Sequence, residues 1–252
     1  MKVVIFCGGE GTRLREVTES IPKVLAEIGG KPILWHIIKL YADQGFKEFV
    51  LCLGYKGHLI KRYFMDLRWK DNDFSINSSK KLNFHTDNSN EWNITFVDTG
   101  EKSTKSERLK QIEKYIDEDI FMVTYGDGLA DIDLKKLIEF HKKHKKIATL
   151  TAYRAPSPLG VIEFEKNGRI TNFREKPILD KWSNGGFFVF NKKIFDYLPL
   201  GELEDKVFPK LAENNEIFAY EHEKFWKSMD TFKDNTEFNK MWEEGKILWI
   251  KR

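Results

Sequence analysis

The chain has 252 residues, 41% hydrophobic and 14% aromatic, which suits one sizeable core and excludes a disordered chain. Its 42 basic and 39 acidic side chains nearly cancel, and a net charge of +3 gives no reason to expect nucleic acid or an anionic membrane as partner. No apolar run approaches the roughly 20 residues of a membrane span, the N-terminus lacks a small-residue cleavage site, and the two cysteines, Cys7 and Cys52, have no metal spacing, so a reduced cytoplasmic protein is expected.

In chain order, VVIFCGG reads as a strand covered on both faces, because β-branched residues follow one another without alternation. KPILWHIIKLYADQG predicts a helix with Pro32 in its first turn, apolar residues Leu34, Ile37, Ile38 and Tyr41 at helical spacing, and Gly45 at its end. EFVLCLGY predicts a second buried strand and HLIKRYFMDL a second helix, an order that implies a parallel sheet with right-handed crossovers. Residues 66–92 turn polar and predict an inserted loop or loose hairpin, a candidate oligomer contact. ITFVDTG, SERLKQIEKYI and IFMVTYGDG then read as strand, helix and strand. DLKKLIEFHKKHK reads as an amphipathic helix with a solvated basic face, and IATLTAYRA as a strand. GVIEFEKNGRITNF predicts a hairpin turning at Asn167-Gly168, SNGGFFVF a further strand, and the remainder is read largely as helical. No linker or repeat divides residues 1–252, and one α/β domain is expected.

GGEGTR, after the first strand, is a tight turn that lets strand become helix or a cradle for phosphate. It is not a dinucleotide fingerprint, since Leu14 stands where a further glycine would be needed, and no Gly-Lys-Ser/Thr closes a Walker A loop. Arg13 and Lys23 could neutralise a triphosphate while glycine N–H groups approach it. Asp127 in TYGDG and Asp230 in KSMDT lie at expected strand ends, where each is a turn former or cap, or the two together a Mg²⁺ site completed by phosphate and water. Lys176, before Pro177, is a surface charge or an aimed ligand.

GGEGTRL followed by PK resembles the GGxGTRLxPLTxxxPK signature of the sugar-1-phosphate nucleotidyltransferases, and YGD, EKP and MDT fall in that family's order. IPKVLAEIGGKPILWHIIKLY, LCLGYKGHLIKRYF, WNITFVDTG, VTYGDGLADID, NGGFFVF and FWKSMDT are similar to segments of its glucose-1-phosphate cytidylyltransferase branch. The resemblance implies a Rossmann-like three-layer α/β/α sandwich with a mostly parallel mixed sheet. It implies transfer of a cytidylyl group from CTP to glucose 1-phosphate with release of pyrophosphate. The same reaction with UTP, dTTP, GTP or another sugar 1-phosphate, or an inactive binding module, are the alternatives. By matching segment, Gly8, Gly9, Gly11 and Thr12 would hold base and phosphates, and Phe6, Cys7, Glu10, Ser103, Arg108 and Gly126 would complete the nucleotide site. Arg13 and Lys23 would stabilise the triphosphate and the departing pyrophosphate, and Asp127 and Asp230 would hold Mg²⁺. Lys176 would meet the sugar phosphate, with Gly160, Glu175, Asn184, Gly185 and Gly186 around the hexose. A homo-oligomer, tetramer or hexamer, is also implied. Two departures stand out: Val24-Leu25 follows Lys23 where the family has Pro-Met, and EKSTKSERL lacks the branch's glycines before its arginine.

Overall fold

The computed structural model describes residues 1–9, 20–86 and 91–250. β1 (Lys2–Cys7) is followed, beyond the glycine turn, by a 3-10 turn at Lys23–Leu25 and a two-residue ribbon of β2 (Glu27–Ile28) and β3 (Lys31–Pro32). Pro32 then leads into α1 (Ile33–Ala42), which stops one turn before Gly45, whose φ of +94° only glycine adopts readily. β4 (Glu48–Leu53) completes the first crossover, and α2 (Gly57–Lys70) begins the second. The polar stretch is part helix and part hairpin: α2 runs to Lys70, and β5 (Phe74–Ile76) pairs with β6 (Leu82–Phe84).

β7 (Asn93–Asp98), α3 (Lys105–Ile112), β8 (Ile120–Tyr125) and a short β9 (Gly128–Ala130) come next, then α4 (Leu134–His144) and β10 (Ala148–Pro156). α3 starts at Thr104, whose side chain accepts from the Glu107 N–H while the Glu107 carboxylate accepts from the Thr104 N–H. The predicted hairpin is β11 (Val161–Phe164) and β12 (Ile170–Arg174), with Gly168 at φ +86° in its turn. β13 (Ile178–Asn191) extends the predicted SNGGFFVF strand at both ends.

The last quarter is less helical than its sequence suggests. α5 (Phe208–Glu213) and α6 (Phe232–Glu243) are present, but β14 (Ile217–His222) and β15 (Trp226–Ser228) are strands. Their pairing decides this: β14 lies parallel to β10 at the sheet edge, and β15 pairs antiparallel with β9, so tertiary contacts override weak local preference.

The main sheet runs β14-β10-β13-β8-β1-β4-β7, with β13 antiparallel to both its neighbours and every other pair parallel. Alternate residues of β1 enter opposite cores. Val3, Ile5 and Cys7 pack with α1, α4 and Phe238 of α6, whereas Val4 and Phe6 pack with Leu109 and Ile112 of α3 and with Phe208 and Leu211 of α5. The expected three-layer sandwich is thus formed, and both free cysteines are buried in it. On the first face His36 is wholly buried: its Nε2–H donates to the Ile28 carbonyl at 2.9 Å, and its Nδ1 accepts from Trp249 Nε1–H at 3.2 Å. Among the described residues no helix is long and apolar enough to cross a membrane.

Candidate active site

From β1 the chain proceeds to β4 and β7 on one side, then returns to β8 on the other side of β1. In an open α/β sheet such a reversal leaves a crevice at the carboxyl ends of the strands. A cleft of about 790 Å³ opens there, lined by Gly8 and Gly9 after β1, Glu101–Lys105 after β7, and Tyr125–Asp127 after β8. Its far wall carries Asn184 of β13, Glu202, Glu204 and Asp205 ahead of α5, and Trp226, Ser228 and Asp230 at β15.

Asp127 and Asp230 are brought together by the small β9–β15 ribbon, in which Ser228 faces Gly128 and the Met229 N–H donates to the Asp127 carbonyl at 2.8 Å. Lys23 enters between them from the 3-10 turn, where burial of Val24 and Leu25 fixes the backbone. The Val-Leu pair that departs from the family signature is therefore core, and it aims the lysine. Lys23 Nζ donates to Asp127 Oδ2 at 2.7 Å and to Asp230 Oδ1 at 2.8 Å. Burial alone would lower the Lys23 pKa, but the two carboxylates outweigh it and hold the ammonium above its ordinary value.

Asp230 is itself held. Ser228 Oγ–H donates to its Oδ2 at 2.8 Å, and its N–H donates to Asp234 Oδ2 at 3.2 Å. Asp234 caps α6 jointly with Thr231 and is anchored by Lys227 at 2.8 Å. Two carboxylates converging on one cation are a donor set that fits a divalent metal. Among the described residues no group of three or more His, Cys, Asp and Glu side chains could hold one, so phosphate oxygens and water would have to complete the shell, as Mg²⁺ prefers.

Arg108 is almost fully buried and spends its donors on the protein: Nη1–H on the Leu53 carbonyl at 3.0 Å and Thr99 Oγ1 at 2.7 Å, Nη2–H on the carbonyls of Gly8 at 3.3 Å and Glu101 at 3.1 Å. It ties the ends of β1, β4 and β7 together. A Cβ on Gly8 would sit 2.2 Å from Arg108 Nη1, so the first glycine of the turn is required by this guanidinium, whereas a Cβ on Gly9 would meet nothing within 4 Å among the described residues. Ser103 lines the cleft, and its hydroxyl donates to the Thr99 carbonyl.

Of the residues singled out in the sequence, Phe6, Gly8, Gly9, Ser103, Arg108, Gly126, Asp127, Asn184 and Asp230 line this cleft, and Lys23 reaches its two aspartates. Cys7 is buried beneath it. Gly160, Glu175 and Lys176 lie away from it, around the β11–β12 hairpin: Gly160 faces Phe173 and Glu175, and half-exposed Lys176 has φ +46° and its Nζ 3.9 Å from Glu175 Oε1. Gly185 and Gly186 sit just behind Asn184, where the Gly185 carbonyl accepts from Trp226 Nε1–H at 2.7 Å. Glu10, Gly11, Thr12 and Arg13 lie outside the described residues. Sequence reading did not single out Tyr125, Lys105, Glu204, Trp226 or Ser228. The first and last two stand inside the quoted YGD and FWKSMDT segments, while Glu204 carries no local signal.

A family model described as nucleotidyl transferase matches residues 2–244. The chain is 45% identical over 252 residues to a Bacillus subtilis protein named "Probable glucose-1-phosphate cytidylyltransferase", covering 99% of both chains. It is 44% identical over 255 residues to the glucose-1-phosphate cytidylyltransferase of Salmonella typhi, covering 99% of this chain and 98% of that one. The crystal structure of HddC from Yersinia pseudotuberculosis shares the fold, with a TM-score of 0.69 at 23% identity over 96% of this chain and 99% of that one. With its cleft at the sheet reversal and two carboxylates converging there, the chain belongs to the nucleotidyl transferase family.

Proposed function

We propose that the chain transfers a cytidylyl group from CTP to glucose 1-phosphate, giving CDP-glucose and pyrophosphate. A phosphate oxygen of the sugar phosphate forms the new bond to the α-phosphorus of CTP, and the bond from that phosphorus to the bridging oxygen breaks. Such a reaction requires positioning and charge neutralisation more than a covalent nucleophile. The observation that carries the reading is the Asp127–Lys23–Asp230 array at the carboxyl ends of the strands. A divalent ion, Mg²⁺ in this proposal, would be held by Asp127 and Asp230 and would supply charge neutralisation at the phosphates. Lys23 would present its ammonium to the triphosphate and the departing pyrophosphate, jointly with Arg13. Arg108 fixes the Gly8 and Glu101 carbonyls, leaving backbone groups of Phe6 to Gly9 and Ser103 for the edge of the base.

Asn184 supports a sugar-binding role for the far wall, because its side chain is exposed on the cleft. Lys176, Glu175 and Gly160 would join the sugar phosphate through the hairpin arm. A homo-oligomer is part of the reading and is supported by exposed apolar side chains on and near β5 and β6: Trp69, Phe74, Ile76 and Leu82.

The test is a matrix of CTP, UTP, dTTP and GTP against sugar 1-phosphates with Mg²⁺, scored by pyrophosphate release. CTP with glucose 1-phosphate is expected to be the best pair. A tenfold or greater preference for UTP or dTTP would refute the base and leave the reaction class standing.

A further inference from the structure

Glu204 sits in a turn of π-helix, Leu203–Val207, ahead of α5. Leu203, Val207 and Leu211 recur every four residues and are wholly buried, which pins this turn to the core and leaves Glu204 on the cleft side. Lys105 Nζ donates to Glu204 Oε1 at 2.7 Å, and the Tyr125 hydroxyl donates to the same oxygen. Asn184 Nδ2–H donates to Tyr125 Oη at 3.0 Å, and the Gly186 N–H donates to Asn184 Oδ1 at 2.9 Å. Burial alone would raise the Glu204 carboxyl, but the bonds from Lys105 and Tyr125 hold it below its ordinary range, so it is an acceptor only.

These bonds have one direction. A carboxylate cannot donate, so the single Tyr125 hydrogen points to Glu204 and the Tyr125 oxygen must accept. The amide face of Asn184 that meets Tyr125 is therefore its NH₂, as the Gly186 N–H independently requires of its oxygen. The second N–H of Asn184 remains as a donor on the exposed side chain. A pairing that served only to hold Lys105 would have no need of the tyrosine, nor would it crowd both donors onto Oε1 while Oε2 lies buried without a hydrogen-bond partner among the described residues.

We propose that Glu204 is a positioning residue for sugar-phosphate recognition: through Tyr125 it fixes Asn184 as a donor to an oxygen of the sugar. This rests on the nucleotidyl-transfer reading of the cleft. Glu204→Leu removes the acceptor and frees the Tyr125 hydroxyl to rotate its hydrogen toward Asn184 Nδ2–H, so that only the Gly186 N–H still orients the amide and the donor is held less firmly. Tyr125→Phe removes the link itself.

Both variants are expected to raise KM for the sugar phosphate about tenfold and to change KM for the nucleotide less than twofold. Glu204→Leu/Tyr125→Phe should be no worse than either single change. Glu204→Gln keeps an accepting oxygen but breaks the ion pair with Lys105, so it should stay within about threefold of the parent. If only the charge pair matters, Gln and Leu will behave alike, and that result overturns the proposal, as does an unchanged sugar-phosphate KM in Tyr125→Phe. Melting curves identify a variant that fails to fold, in which case Tyr125→Phe decides. No pyrophosphate release by the parent chain with any pair would overturn the functional reading instead.

Discussion

His36 is held neutral by its partners, because Nε2 must carry the proton that Ile28 accepts and Nδ1 must keep the lone pair that Trp249 uses. Adding a proton would bury a charge and set Nδ1–H against the indole N–H. Burial lowers the His36 pKa from its ordinary 6.5 to about 4. A depressed folded-state value means that the stabilisation is complete above pH 6.5 and is lost as pH falls through the window from 6.5 to 4. The whole difference is about 3 kcal/mol, of which about 2 kcal/mol is already lost at pH 5. Glutamine can donate to Ile28 and accept from Trp249 without titrating in this range. Urea unfolding of the parent and His36→Gln at pH 8, 7, 6 and 5 isolates the contribution, since carboxylates and the buried His141, also lowered to about 4, act alike in both. The variant's loss between pH 8 and pH 5 should be about 2 kcal/mol smaller. Equal losses in the two proteins would refute the neutral-histidine reasoning.

Asp127→Asn should lower turnover by more than a hundredfold, measured by pyrophosphate release, with a melting temperature within a few degrees of the parent. Retained activity would remove Asp127 from the metal site. Lys23→Met leaves two carboxylates facing one another, so its Tm should rise on adding Mg²⁺ by several degrees more than the parent's does, while kcat/KM falls more than stability. A Tm and an activity that fall in step would mark Lys23 as only a loop anchor. Arg108→Lys cannot reach the four acceptors that the guanidinium joins and should cost about 2–3 kcal/mol in urea unfolding, because buried carbonyls lose their donors. A loss below about 0.5 kcal/mol would contradict the role assigned to it.

The fold was legible where burial writes itself into composition. β1, β4 and β8 are runs of apolar residues because each is covered on both faces, and Asn167-Gly168 announced its hairpin because only certain residues fit that turn. β14 was not legible: an edge strand with exposed Phe218 and Ala219 has neither a clean alternation nor a buried run, and only pairing with β10 makes it a strand. Asp127, Asp230 and Lys23 were legible as residue types near strand ends, but that the lysine lies between the two carboxylates depends on β9 finding β15. Arg108 showed the converse difficulty. The resemblance implies a cation near the nucleotide at its position, and nothing in the sequence says that its donors are already engaged by backbone and Thr99. Glu204 is silent for a similar reason, since its meaning lies in Tyr125, 79 positions earlier.

The lysine that bridges the aspartates waits a long time for one of them. Asp230 follows Lys23 by 207 positions, Asn239 follows its partner Gly29 by 210, and Trp249 follows His36 by 213. A ribosome adding about 5–20 residues per second needs roughly ten to forty seconds to travel from Lys23 to Asp230. For that interval the growing chain carries β1 and α1 with the contacts of α6 still unmade, and His36 without its indole. A nascent chain released before Asp230 could build most of the central sheet and yet hold Lys23 against Asp127 alone. On the proposed reading of the site, its array of charges therefore waits for Asp230 to join Lys23 and Asp127, well after β1 and α1 have been made.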